Sequence, residues 1–130
     1  MAVDWRTWVY EALTEDAGVI AVLGDRVYSE VEAEPEKPFA VVRMTQDVPE
    51  VHQVEGAIST TTTIWVHDEP GSYVRIDSLL SLIRTAIKAK SDLSGVGIFQ
   101  AMWTGDGPDL ADDYRKTILR TTSYRLVGRR

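Results

Sequence analysis

Two β-branched stretches decide the fold: Phe39-Ala40-Val41-Val42-Arg43-Met44-Thr45-Gln46 and Ile58-Ser59-Thr60-Thr61-Thr62-Thr63-Ile64-Trp65-Val66-His67. The first is apolar on both faces at its start, which suits a central strand. In the second, alternation puts Ile58, Thr60, Thr62, Ile64 and Val66 on one face and Trp65 on the other, with Thr61 and Thr63. Asp47 to Gly56, between them, is polar and carries Pro49. The two strands read as a long hairpin with an extended tip.

Working outward, Trp5, Trp8, Val9, Ala12 and Leu13 recur at helical spacing, so residues 4–15 read as a helix capped by Asp4. A shorter helical turn follows from Ala17 to Leu23, with Gly24 suited to the position past its end. Residues 25–29 are a short strand candidate. Residues 30–38 form an acidic loop bracketed by Pro35 and Pro38, whose missing N–H groups cannot serve a ladder. Beyond the hairpin, Glu69-Pro70-Gly71-Ser72 breaks the chain. Ile76, Leu79, Leu80, Ile83 and Ile87 then form the apolar stripe of a helix over about 73–89. A turn at 91–95, a strand over 96–104, a loop over 105–113 and a long strand over 114–127 complete the chain. The expected fold class is α+β: a mostly antiparallel sheet with two main helices packed on one face, as one domain over residues 1–130.

The 130 residues are 44% hydrophobic and 26% charged, enough for one core beneath an ordinary surface. No run approaches a membrane span, and residues 1–5 lack the basic start of a signal peptide, so synthesis in the cytoplasm is expected and no membrane partner. The absence of cysteine excludes disulfides, thiolate metal sites and cysteine nucleophiles. Net charge is −6 and uneven: residues 1–70 hold 14 acidic and 4 basic side chains, residues 71–130 hold 6 and 10. Opposed charges of this kind suit head-to-tail pairing of copies, unless the fold interleaves the halves. The acidic total disfavours gripping nucleic acid by its phosphates.

No phosphate loop, dinucleotide turn or nucleophile elbow is present, so no catalytic residue, metal ligand or cofactor is expected. His52 and His67 read as exposed histidines flanking the hairpin. Asp109, Asp112 and Asp113 lack the spacing of a calcium loop and read as solvated. Trp5 and Trp8 belong to the core, whereas Trp65 faces outward or is covered by a partner. The C-terminal basic residues Arg115, Lys116, Arg120, Arg125, Arg129 and Arg130 suit an acidic neighbour or a charged strand edge.

The succession Leu23-Gly24-Asp25-Arg26-Val27-Tyr28, then Pro38-Phe39-Ala40-Val41-Val42-Arg43, then a Thr-rich strand ending Trp65-Val66, resembles the tail-terminator or tail-completion proteins of long-tailed bacteriophages. The resemblance spans essentially the whole chain. It implies a structural virion protein, made in the host cytoplasm, that forms a hexameric ring on the head-proximal end of the tail tube. Such a ring ends tube growth and offers the surface for head attachment. The implied partners are further copies of the chain, the tail tube protein and the head–tail connector or stopper. Genomic DNA passes through the lumen without specific binding, and acids of the 30–36 and 47–55 loops are expected to face the lumen or the tube. Expected interface residues are Asp47, Glu50, His52 and Glu55 in the tip, Trp65, Asp109, Asp112 and Asp113, and Arg120 and Arg125. A head-completion or stopper protein and a small ligand-binding α+β domain stand as alternatives.

Overall fold

The computed structural model describes residues 4–30, 35–45, 48–49, 57–93 and 98–129. Helix α1 (Trp5–Thr14) starts where the Asp4 carboxylate accepts from the Thr7 N–H at 3.1 Å. Its apolar stripe is buried, with Trp5 and Trp8 under 10% exposed, as expected of core tryptophans. Asp16 caps α2 (Ala17–Leu23) in the same way, and Gly24 ends it at a φ of 58°. Arg26 then ties three elements together. Its guanidinium donates to the Val22 carbonyl of α2 at 3.0 Å and to the Pro38 carbonyl at 2.9 Å. This sets β1 (Val27–Tyr28) parallel to β2 (Phe39–Met44).

The expected hairpin is present. β2 pairs antiparallel with β4 (Ala57–Asp68), Phe39 opposite His67 and Met44 opposite Thr62. A two-residue strand, β3 (Val48–Pro49), also pairs with β4. The rest of the tip, including Asp47, Glu50, His52 and Glu55, lies outside the described residues. Helix α3 (Val74–Leu93) runs further than expected, into the turn placed at 91–95 as far as Leu93. Its polar last residues have no helix breaker before Gly95, so nothing in the chain stops it sooner.

The C-terminal half holds β5 (Ile98–Asp106), β6 (Leu110–Asp112) and β7 (Thr117–Arg129). Residues 114–116, expected to begin the last strand, form a turn instead. The Asp112 carboxylate accepts from the Arg115 N–H at 3.1 Å and Lys116 adopts a φ of 54°, a geometry incompatible with a strand. Sheet order is β1-β2-β4-β7-β5, with β3 on β4 and β6 on β7. Every pairing except β1–β2 is antiparallel. β7 lies between β4 and β5, so those two run parallel and α3 is the crossover joining them.

All three helices share one face of the sheet. Ile58, Ile64 and Val66 of β4 and Tyr124 and Leu126 of β7 meet the stripes Leu13, Val19, Ile76, Leu80, Ile83 and Ile87 there. Thr60 and Thr62 are buried on the same face and donate their hydroxyls to the carbonyls of Thr45 and Arg43, so their polarity carries no unsatisfied cost. Among the described residues no helix is long and apolar enough to cross a membrane.

Candidate interaction surfaces

The sheet offers two ends, two edges and one helix-free face. β4 has 12 residues; at about 3.3 Å per residue its ends stand roughly 36 Å apart. Ala57 at one end adjoins the hairpin tip. Asp68 at the other, paired with Ile118, adjoins the 105–116 segment. The two segments expected to carry interfaces therefore emanate from opposite poles.

At the Asp68 pole, charged groups bind the segment to the body. Asp68 is buried and holds the Arg75 guanidinium, Nε to Oδ2 at 2.7 Å. Burial, the largest influence, raises the Asp68 carboxyl, yet the hydrogen bonds from Arg75 and the Glu69 N–H outweigh it and hold it below its ordinary value. Arg120 donates to the Gly107 carbonyl at 3.0 Å and to Asp77 of α3 at 2.7 Å, and lies 3.6 Å from Asp109. Asp112 caps the turn that ends in Lys116. Asp113 is exposed, and Tyr114 after it is 92% exposed, with Leu110 and Val74 also uncovered at this end. Sequence reading named the acids here but passed over Tyr114. An isolated aromatic in a polar loop, Asp-Asp-Tyr-Arg-Lys, was the available signal.

The helix-free face carries Arg43, Thr61, Thr63, Trp65, Thr121, Ser123 and Arg125 in cross-strand register. Trp65 is 36% exposed and faces away from the helices, as the alternation implied. A groove of about 380 Å³ runs along this face between Glu30 and the Asp112–Arg115 turn, floored by Val41, Trp65 and Leu119. His67 belongs to its inner end and is buried, which corrects the expectation of an exposed loop histidine. Its ring stacks on Phe39 at 4.6 Å and its Nδ1 is 2.9 Å from the Thr117 hydroxyl. As the pairing with Phe39 and Leu119 shows, the chain after Tyr28 and the turn before Thr117 flank this position, which no local pattern reveals. Burial lowers the His67 pKa; Asp112 pulls it up and Arg115 pushes it down by lesser amounts.

The β5 edge carries a fixed aromatic platform. Trp103 is 49% exposed, yet its Nε1 donates to Asp106 Oδ1 at 2.9 Å. The Arg84 guanidinium from α3 lies 4.0 Å from the Trp103 ring centroid and donates to the other Asp106 oxygen at 2.9 Å. The opposite edge, at β1, has a groove of about 400 Å³ between α1 and β1 lined by Arg6, Tyr10, Tyr28, Ser29 and Glu30. Among the described residues, no three acidic or histidine side chains converge to hold a metal ion.

A mixed, mostly antiparallel sheet with helices on one face, and fixed aromatic and charged groups at its edges and poles, defines a small α+β protein. The particular family follows from the sequence: residues 7–126 match the tail completion protein gp17 family, and the chain belongs to it. It is thus a structural, non-enzymatic virion component of a phage-type tail. The chain is also similar in fold to one in the virion of a native gene transfer agent (GTA) particle, with a TM-score of 0.61 at 16% identity, over 97% of this chain and 95% of that one. Among curated proteins none matches.

Proposed function

We propose that copies of this chain form a closed ring that caps the head-proximal end of the tail tube, ends its growth and presents the head-attachment surface. The observation that carries the reading is the match of residues 7–126 to the tail completion protein family, on a sheet whose two borders differ. Elements of residues 1–70 (β1, β2, β4) occupy one side of the sheet order, and those of residues 71–130 (β7, β5) the other. The sequence asymmetry of 14 acids against 4 bases, then 6 against 10, follows this division only in part, since Lys90 pairs with Glu11 and Arg75 with Asp68 across it. Two unlike borders on one molecule suit a heterologous contact, which closes into a ring when its rotation divides a full turn.

The two poles then face along the ring axis. Asp109, Asp112, Asp113 and Tyr114 meet one axial neighbour; Asp47, Glu50, His52 and Glu55 of the tip meet the other, the tail tube protein and the head–tail connector being the two. Trp65, Arg120 and Arg125 serve the same contacts from the sheet. DNA passes the lumen without specific binding, repelled by a chain of net charge −6.

The test is native mass over a wide concentration range with negative-stain images of each fraction. A six-fold species with a central hole supports the ring; a strict monomer both in solution and on purified tubes overturns it. Particles lacking the protein separate the roles. Tails of abnormal length mark a terminator, and normal tails detached from filled heads mark a connector.

A further inference from the structure

We infer that the ring closes edge to edge, with the Trp103–Arg84 platform of one copy seated in the α1–β1 groove of the next. This rests on the ring reading above and assigns its two contact surfaces. β5 is the last strand on its side, and among the described residues it pairs only with β7. Exposed edge strands are usually blunted by charge or proline. Residues Gln100 to Thr104 carry neither. They present instead Met102 and Trp103, 37% and 49% exposed.

Trp103 is already held for binding. Asp106 fixes its indole N–H and Arg84 covers one ring face, so little side-chain freedom remains to be lost on association. Tryptophan and arginine are the residues most enriched where binding energy concentrates. A shallow groove of about 420 Å³ beside them, reaching Lys88 and Tyr124, widens the surface. The opposite border offers the receiving surface. The α1–β1 groove is lined by Tyr10, Val27, Tyr28 and Val42, with Arg6 and Glu30 also on its wall. Tyr10 is 45% exposed, a ring-sized apolar area facing away from the core. Glu30 across from Lys88 sets the register.

The chain has no cysteine, so crosslinking tests the contact directly. In the full-length protein, Ser29→Cys and Met102→Cys are combined in one chain and treated with an oxidant or a short bis-maleimide. The expected result is a ladder of covalent species that stops at a fixed number, with no ladder from either single variant. Trp103→Ala is expected to weaken self-association at least tenfold, while Ser81→Ala, on the exposed face of α3, leaves it unchanged. Rings in the images without a ladder overturn the edge contact and leave the ring standing. Dimers from a single-cysteine variant overturn it in favour of a two-fold contact. If the free protein is monomeric, the double variant is crosslinked in assembled particles, and absence of the adduct there overturns the proposal.

Discussion

At the scale of single residues, His67 and Asp68 couple stability to pH. The unfolded His67 titrates near its ordinary value of 6.5, and burial lowers the folded value below that. Between the two values the unfolded chain binds the extra proton, so stability is full above 6.5 and falls as pH drops toward the folded value. Asp68 acts lower down. Its folded value lies below 3.8, so its contribution is present above 3.8 and is lost as pH falls through the lower folded value. Urea midpoints across a pH series are expected to show both declines, and His67→Gln to flatten only the upper one. Gly107 is set by contact rather than by its own conformation. A Cβ there would lie 2.2 Å from the Thr121 hydroxyl, which must move. Gly107→Ala is expected to cost about 1–3 kcal/mol. Adding Thr121→Ala removes the clash, so the double variant should recover most of the loss in a denaturation cycle. Additive losses would place the strain elsewhere.

At the scale of elements, α3 does most to hold the sheet. Its stripe is fully buried against β4, β5 and β7, and Ile83 is at 0% exposure. Ile83→Ala is expected to destabilise by about 2–5 kcal/mol, measured by urea unfolding. Thr85→Ala, on the exposed face of the same helix, should stay within about 0.5 kcal/mol. Equal effects would mean the helix packs with another rotation. The helix was legible because its 3.6-residue period is a local property. Its end was not, since Ser91 and Asp92 tolerate either state. The hairpin was legible for the same kind of reason: β-branched alternation over two long runs leaves little else to form. β6 and the turn at 113–116 were missed because they depend on Asp112 capping Arg115 and on pairing with Leu119, contacts set by the remote strand β7.

At the scale of the whole molecule, the proposed roles divide between poles and edges. Tyr114 is nearly free of the body, so Tyr114→Ser should leave the thermal midpoint unchanged. It should still reduce the yield of complete particles in a complementation assay, because it removes the most exposed aromatic of one axial pole. A midpoint that falls instead would make Tyr114 part of the fold. The candidate interface residues were only partly brought together. Asp109 and Arg120 meet within the chain, and Asp112 faces the His67 groove. Trp65 and Arg125 lie on the helix-free face, on the same side as that groove.

The chain's own pattern determined the elements: periods of 2 and 3.6, caps at Asp4 and Asp16, breakers at Gly24 and Pro70-Gly71. It also determined the one-sided core, because each helix has a single apolar stripe and β4 a single apolar face. Only the tertiary structure decided that β7 separates β4 from β5, that His67 is buried, and that Lys90 and Arg75 pair with Glu11 and Asp68. Those outcomes depend on which strands pair across long stretches of sequence. Pairing energy between strands depends on the whole set of neighbours and not on any local run of residues.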